Sequence, residues 1–317
     1  MTIRTILPKD EAAWHKARSK DVTASVAGAL LGVHEYVTAY SLWAEKTGRV
    51  SRDLEETKPM QRGRLLEPVA IDLLREERPN WTIDYKNDRA YTRDTDLRIG
   101  CTPDAFGYRD DIQGRGVIQV KTVSRPAFRT KWVDPDTGDV VPPLWIAVQT
   151  LIEAKLTGAA WATIAPLVVG EGTLDLEPID MPIHDGVWKR IKRAVAEFWA
   201  IVESGEEMDP DWGRDGRTIM RVFEESEPDR IDLTGVAGVD ALIDEYQRAG
   251  EAIRDATALR DELKPQLIYA LGNAECGETE RFDITASTQR RPGHVVKATT
   301  TRVLRIKPKK ESYDGSF

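Results

Sequence analysis

The sequence has few cysteines and no long apolar run. Cysteine occurs only at Cys101 and Cys276 in 317 residues, without the spacing of a zinc knuckle or the four thiolates of an iron–sulfur cluster. No apolar stretch approaches the ~20 residues that span a bilayer, and the N-terminus lacks the apolar core of a secretory signal. We therefore expect a cytoplasmic protein with neither an iron–sulfur cluster nor a membrane partner.

Basic residues do not balance the acidic ones: 45 Lys and Arg stand against 53 Asp and Glu, and the formal net charge is −8. Nucleic-acid-binding proteins are expected to be basic at least locally, so the acidic balance argues against nucleic acid without excluding it. Basic residues cluster in two places, after residue 114 and in the C-terminal tail, and the tail reads equally well as a frayed, solubilising terminus. The 41% apolar and 31% charged residues are typical of a soluble globular protein.

Residues 99–123, IGCTPDAFGYRDDIQGRGVIQVKTV, organise the rest of the chain. Two β-branched runs flank a connection rich in Gly and Asp, which predicts two adjacent strands. Strand alternation puts Gln119 and Lys121 on one face and Ile118 and Val120 on the other. An amide and an ammonium beside the strand-end Asp104 suit a metal-bound phosphate, although a solvated sheet face with an ordinary loop aspartate fits these residues equally well.

Four motifs in order carry a family resemblance. Pro103-Asp104 followed by Gln119-Val120-Lys121 resembles the signature of the PD-(D/E)XK nucleases. The segment RGRLLE, from Arg62 to Glu67, resembles the RGxxxE helix motif of the phage lambda-exonuclease or YqaJ-type viral recombinases. The segments WHKAR (14–18) and VTAS (22–25), and Val148-Gln149 in an apolar helix, match two further motifs of that family. Together the motifs cover roughly residues 10–200.

The resemblance implies roles for nine residues. It implies a catalytic group of Asp104, Gln119, Lys121 and Glu67, and a site for Mg²⁺ (or Mn²⁺) formed by Asp104, Gln119, Glu67 and the carbonyl of Val120. It implies that DNA and its 5′ phosphate are bound by Arg18, Ser25, Arg62 and Gln149. From the sequence alone, and without the resemblance, Arg18 is interpreted as a surface arginine and Ser25 as an ordinary helix cap. Glu67 is then a glutamate on the surface of a helix.

Position 119 departs from the family pattern, because lambda-type enzymes carry Glu where this chain has Gln. A carboxamide oxygen can still ligate Mg²⁺ but brings no charge, so the site should depend more on Glu67 and Asp104. A restriction-enzyme branch of the wider superfamily carries Gln at this position, so Gln119 does not imply an inactive protein.

Three functions stay open. The first is an exonuclease of phage-type recombination that resects linear duplex DNA from the 5′ end and leaves 3′ single strands. For it the resemblance implies a homo-oligomeric ring, a trimer, that threads double-stranded DNA ends, a single-strand annealing protein as partner, and a phage or prophage origin in a bacterial host. The second is another PD-(D/E)XK nuclease, such as a restriction or repair endonuclease. The third is a DNA-binding member with weakened catalysis.

The pattern of elements predicts an α/β (α+β) fold. The resemblance specifies a central mixed sheet of the restriction-endonuclease-like PD-(D/E)XK type, flanked by helices and followed by a C-terminal extension of helix and strands. We predict a nuclease core over 1–205, a linker over 206–233 and the extension over 234–317. Spacing in the core predicts helices over 23–31, 60–76, 145–156 and 184–203, and strands over 81–100 and 161–169. In the extension it predicts a long helix bent or restarted near Pro265, pairing with another helix, and strands over 279–288 and 295–306.

Overall fold

The computed structural model describes residues 2–51, 56–86 and 88–290, and four single positions beyond them (293, 302, 304 and 306). The chain divides into two compact units, Met1–Val222 and Phe223–Phe317. In the described part of the chain, no helix is both long and apolar enough to cross a membrane.

The main sheet of the first unit has a parallel pair at its centre. Strands β7 (Ile112–Ser124) and β8 (Trp161–Val169) run parallel in register from Gly116–Trp161 to Ser124–Val169. The other strands of this sheet are β3 (Thr82–Asp84), β6 (Ala105–Arg109), β9 (Leu174–Leu176) and β10 (Ile179–Met181). The order is β10-β8-β7-β6-β3 with β9 also on β8, and the pairings other than β7–β8 are antiparallel.

A second, smaller sheet carries the N-terminal segment. Its order is β1 (Ile3–Ile6), β4 (Tyr91–Asp94), β5 (Ile99–Cys101) and β2 (Val22–Thr23). Gly100 lies beneath the Tyr91 ring, and a β-carbon there would meet the Tyr91 hydroxyl at 2.1 Å. The ring can therefore pass over β5, and its hydroxyl donates to the buried Asp21 at 2.8 Å. This contact ties the N-terminal segment to β4.

Helices cover the sheets on both sides. The helices of the first unit are α1 (Glu11–Ser19), α2 (Ala24–Ala27), α3 (Ala39–Lys46), α4 (Lys58–Glu77), α5 (Arg125–Lys131), α6 (Leu144–Thr157), α7 (Asp185–Ser204) and α8 (Gly216–Val222). Helix α4 packs Ala70, Ile71 and Leu74 against Ile118 and Val120 of β7. Helix α6 lies on the other face of β7, where its apolar run packs into a separate core. The predicted central mixed sheet flanked by helices is confirmed.

Two segments of the first unit differ from expectation. Instead of one helix over 23–31, a single α-helical turn, α2, is followed by a 3-10 turn at Gly28–Leu31. A β-carbon on Gly28 would lie 3.2 Å from Cα of Trp145, so the chain passes closely against α6 here. The linker predicted over 206–233 begins with packed residues, because Asp215 is 1% exposed and accepts a hydrogen bond from the Thr38 hydroxyl. The acidic composition of this stretch concealed that contact.

The second unit contains α9 (Val239–Leu271) and a hairpin of β11 (Cys276–Glu278) and β12 (Asp283–Thr285). Helix α9 continues through Pro265, so it does not restart there. None of its side chains is buried, and its pairing with another helix stays a prediction. The strand predicted over 279–288 is confined to β12, and the one over 295–306 lies largely outside the described residues.

Candidate active site

Asp104 sits in the turn between β5 and β6, directly beside β7. The β6–β7 register pairs Ala105 with Ile118, which brings Asp104 opposite Gln119. Its Oδ2 atom accepts the backbone N–H of Val120 at 2.8 Å and a second hydrogen bond from Nε2 of Gln119. The fifteen-residue spacing of the motif is thus the spacing of an antiparallel hairpin that brings the aspartate to the strand bearing Gln119 and Lys121.

Lys121 and Gln119 share the face of β7 that α6 covers, and Gln149 of α6 joins them. The Lys121 ammonium donates to Oε1 of Gln149 at 3.0 Å. The Gln149 amide nitrogen donates to Oε1 of Gln119 at 2.7 Å. Gln119 is 2% exposed, so this hydrogen-bonded cluster is shielded from water. The structure therefore brings together Asp104, Gln119, Lys121 and Gln149.

Glu67 reaches the same cluster from the opposite face of the sheet. It lies on α4, one turn before the residues that pack on β7, and it is half-buried. Burial raises the pKa of Glu67, while the Tyr85 hydroxyl and the positive charge of Lys121 act to lower it. Burial, together with the charge of Glu67, raises the pKa of Tyr85 to about 12. Glu67 is therefore close enough to Lys121 for the charge of the lysine to act on it.

The charge balance of the cluster favours a cation. Burial, followed by the negative charge of Glu67, raises the pKa of Asp104 to about 7, against the opposing effect of Lys121. Two carboxylates that resist simultaneous ionisation favour a positive ion between them. Such an ion lowers the cost of ionising both groups.

Sequence reasoning missed Glu153, which lies one turn beyond Gln149 on α6. Its Oε1 accepts from the Gln149 amide at 2.9 Å, and the residue is 1% exposed. Burial raises the pKa of Glu153 to about 8, with the charge of Asp104 as the second cause. Its Oε2 atom is buried without a hydrogen-bond partner in the described part of the chain. A carboxylate inside the apolar run WIAVQTLIEAKL was the available signal.

Arg18 and Ser25 lie beside this cluster. Arg18 donates to the Ser25 hydroxyl at 3.4 Å, and its guanidinium lies 4.1 Å from the centre of the Trp14 ring. The Trp14 indole N–H donates to Thr102, two residues before Asp104, at 3.1 Å. The predicted helix start contributes little here, because α2 is only four residues long and its Thr23 makes no side-chain cap. An anion at this position would depend on the Arg18 guanidinium and the Ser25 hydroxyl.

His34 and Trp145 connect the Ser25 segment to Lys121. His34 Nδ1 accepts two backbone N–H groups, each at 3.0 Å, so its Nε2 carries the proton and donates to the Ser25 carbonyl at 3.0 Å. Burial lowers the pKa of His34, which keeps the ring neutral. The His34 ring lies 4.9 Å from the Trp145 ring, and the Lys121 ammonium lies 5.5 Å from that ring. Neither residue was predicted from the sequence.

Arg62 is the one predicted site residue that the structure leaves apart. It is exposed on α4, and none of its hydrogen bonds or ion pairs with described residues ties it to the cluster. Five helical positions separate Arg62 from Glu67, which puts them roughly 140° apart around the helix axis. A role in DNA binding for Arg62 stays a prediction.

The donors that could hold a metal are few. Among the residues that the structure describes, no group of three or more His, Cys, Asp or Glu side chains is arranged to hold a metal ion. The set at the cluster is two carboxylates, Asp104 and Glu67, with the Val120 carbonyl. Mg²⁺ commonly uses one or two carboxylates and completes its shell with water and substrate phosphate, so this set fits Mg²⁺.

Comparison with known proteins bears out the family resemblance. Residues 13–160 match the family model described as the YqaJ-like viral recombinase domain, a stretch that contains all nine predicted site residues and Glu153. No curated protein matches the chain. Similar solved structures include the alkaline exonuclease LHK-Exo from Laribacter hongkongensis (22% identity, TM-score 0.45) and its complex with dAMP (21%, 0.44), each over 61% of this chain and 93% of that one. A SOX–DNA complex is 10% identical with a TM-score of 0.39, over 64% of this chain and 71% of that one.

Proposed function

We propose that this chain, whose residues 13–160 match a YqaJ-like viral recombinase domain, is a divalent-metal-dependent deoxyribonuclease. On this proposal it resects linear duplex DNA from the 5′ end and leaves 3′ single strands. The observation that carries the proposal is the buried hydrogen-bonded cluster in which Gln119 donates to Asp104 and Gln149 contacts both Lys121 and Gln119. The charge of Glu67 acts on Asp104 in this cluster. The family match supports DNA as the substrate, with its phosphodiester bonds as the bonds that are hydrolysed.

Asp104 and Glu67, with the Val120 carbonyl, are the residues that would hold Mg²⁺ or Mn²⁺. A bound divalent ion supplies a water of lowered pKa and neutralises charge on the reacting phosphate. Asp104 is held by the Val120 backbone N–H, so its second oxygen stays available at the cluster. Glu67 approaches from α4 and is restrained by Tyr85.

Lys121 supplies the positive charge on the protein side. Its ammonium is held between the Gln149 carbonyl and the Trp145 ring, which restricts the long side chain before substrate arrives. An ammonium placed in advance stabilises the charge that develops on the phosphate without reorganising in the reaction. It can also orient the attacking water and favour its deprotonated form.

The Arg18–Ser25 pair supports selection of the 5′ end. A terminal phosphate monoester carries more negative charge than an internal diester, and a guanidinium with a neighbouring hydroxyl favours the more highly charged group. Arg18 lies over the Trp14 ring, and the Trp14 indole N–H donates to Thr102, which precedes Asp104 by two residues. These contacts connect the Arg18–Ser25 pair to the Asp104 turn. A ring-shaped trimer and an annealing partner belong to the same proposal and rest on the family resemblance alone.

A DNA-binding protein with weakened catalysis is the second candidate. The observation that favours it is the amide N–H of Gln119 on Asp104, where a carboxylate would otherwise face the ion. The two candidates differ in whether any phosphodiester bond is broken.

The experiment incubates the purified protein with Mg²⁺ and three substrates: 5′-phosphorylated linear duplex, 5′-hydroxyl linear duplex and covalently closed circles. The proposal expects nucleotides to be released from linear duplex, fastest with the 5′ phosphate, and closed circles to stay intact. Nicked or linearised circles would indicate an endonuclease instead. Binding of duplex without release would favour the second candidate.

A further inference from the structure

Lys121 and Glu153 together determine which way the amide of Gln149 faces. An ammonium only donates hydrogen bonds, so the Gln149 atom 3.0 Å from it must be the acceptor, Oε1. The amide nitrogen then faces the other way, toward Oε1 of Glu153 at 2.9 Å. Both contacts agree on one orientation, because reversing the amide would set N–H against ammonium and oxygen against a glutamate oxygen.

The orientation of Gln149 in turn determines that of Gln119. The Gln149 nitrogen also donates to Gln119, and it can do so only to an oxygen, Oε1, at 2.7 Å. The Gln119 nitrogen is thereby directed to the opposite side, where it donates to Asp104 Oδ2 and to the Val120 carbonyl at 3.1 Å. The donor N–H of Gln119 therefore faces the Asp104 carboxylate and the Val120 carbonyl, two of the groups that would hold the ion.

We propose that Glu153 is a positioning residue that acts through Gln149 to hold the amide nitrogen of Gln119 on Asp104, so that Gln119 orients that carboxylate rather than ligating the metal. The inference rests on the proposed metal-dependent function, and it assigns the ligands as Asp104, Glu67 and the Val120 carbonyl. The carboxamide at position 119 then has a role of its own, as a neutral donor in the place where related enzymes carry a charged ligand.

The burial of Glu153 fits this role. A fully buried carboxyl is costly unless it is neutral or hydrogen-bonded, and the single hydrogen bond that the Glu153 side chain makes with described residues goes to Gln149. What the role requires is an acceptor oxygen, which both the neutral and the ionised forms provide. A glutamine at position 153 also provides one, whereas a leucine of similar size does not.

The first test observes the Gln119 side-chain amide by ¹H–¹⁵N NMR in the full chain, with Gln119→Met identifying its signals by their loss. We expect these signals to show slow hydrogen exchange, to survive saturation with Mg²⁺, and to be kept in Glu153→Gln. In Glu153→Leu they should shift and exchange faster. If Mg²⁺ reverses the amide, or if the two Glu153 variants give the same Gln119 signals, the proposal is overturned.

The second test measures Mn²⁺ affinity by calorimetry. Loss of a group that orients a ligand costs about tenfold to a hundredfold in metal affinity, and we expect that loss in both Gln119→Met and Glu153→Leu, but not in Glu153→Gln. Because both act through one chain of hydrogen bonds, the double variant Gln119→Met/Glu153→Leu should bind no more weakly than the worse single variant. If the two losses of Mn²⁺ affinity multiply in the double variant, Glu153 does not act through Gln119 and the proposal is overturned.

The two readouts separate this inference from the proposed function. If the wild-type protein binds no Mn²⁺ and hydrolyses no DNA, the proposed function fails. The NMR comparison of the Glu153 variants still decides whether Glu153 positions the Gln119 amide through Gln149. Thermal melts of each variant, monitored by circular dichroism, identify any that is unfolded. Glu153→Leu is expected to fold, since a buried and unpaired oxygen is replaced by an apolar group of similar volume.

Discussion

The Lys121 ammonium lies 3.0 Å from Oε1 of Gln149. The proposed catalytic lysine on β7 is therefore restrained by helix α6, whose apolar residues pack into a different core from those of α4. Gln149 is 6% exposed, and the three hydrogen bonds that its side chain makes with described residues all lie within the cluster. The position of the lysine therefore depends on α6 as much as on its own strand.

Replacing Gln149 by Leu should lower kcat with little change in KM. A hydrogen bond to a charged group contributes about 1.5–3 kcal/mol, so its loss should slow hydrolysis about tenfold to a hundredfold. Steady-state rates on linear duplex measure the effect. Lys155→Ala is the control on the same helix, because Lys155 pairs with the exposed Asp185 away from the cluster. An equal loss in the control would show that the effect comes from α6 as a whole.

Replacing Gln119 by Glu should lower the Mg²⁺ concentration needed for half-maximal activity. One oxygen of the new carboxylate still accepts from Gln149, and the other faces Asp104, where only a cation relieves the repulsion. An Mg²⁺ titration of the hydrolysis rate measures the shift. An unchanged midpoint would show that position 119 has no influence on the ion, while reduced activity at saturating Mg²⁺ would show that the cluster is adjusted to a neutral residue.

Replacing Arg18 by Ala should slow digestion of 5′-phosphorylated duplex far more than that of 5′-hydroxyl duplex. A charge-assisted contact of about 1.5–3 kcal/mol corresponds to about tenfold to a hundredfold in the use of phosphorylated ends. Arg89→Ala is the matched control, because Arg89 also lies over the Trp14 ring, at 5.6 Å, and pairs with Glu11. Equal slowing of both substrates by Arg18→Ala would make Arg18 a general or structural contact.

Asp104 should lower the stability of the metal-free protein as pH rises. The pKa of Asp104 is raised by folding from 3.8 to about 7. A carboxyl with a raised pKa stabilises the folded state below its ordinary pKa, and that contribution is lost as pH rises through the folded value. The melting temperature of the wild type should therefore decline between about pH 4 and pH 7 more steeply than that of Asp104→Asn. Glu153, whose pKa is raised to about 8, contributes in the same direction in both proteins.

Adding Mg²⁺ to the same samples at pH 8 should raise the melting temperature of the wild type, because an ion that binds only the folded state stabilises it. Asp104→Asn should show little increase. A parallel decline with pH in both proteins, or an equal increase with Mg²⁺, would contradict the assignment of Asp104.

The meeting of Asp104 with Gln119 and Lys121 was predictable from the sequence because it depends on local rules. Strand alternation places Gln119 and Lys121 on one face, and a hairpin register places Asp104 opposite Gln119. Glu67 was predictable only through the family motif, since its helix packs on the face of the sheet opposite to the one that carries Gln119 and Lys121.

Glu153 and Asp215 were not predictable, because their roles depend on which surfaces meet after folding. Glu153 lies four positions after Gln149, so helix geometry places both side chains on one face, but nothing local shows that this face is buried against β7. Asp215 lies in an acidic stretch typical of a linker, yet it is buried against Thr38, a residue 177 positions away. Composition cannot reveal a contact of that separation.

The most direct test of the account is the Mg²⁺-dependent release of nucleotides from 5′-phosphorylated linear duplex by the wild type, by Lys121→Ala and by Asp104→Ala. We expect the wild type to release nucleotides and to stop when the metal is chelated. The account predicts no release above background by either variant, with circular dichroism spectra that match the wild type. Hydrolysis by a folded Lys121→Ala or Asp104→Ala protein at a rate near that of the wild type would contradict it.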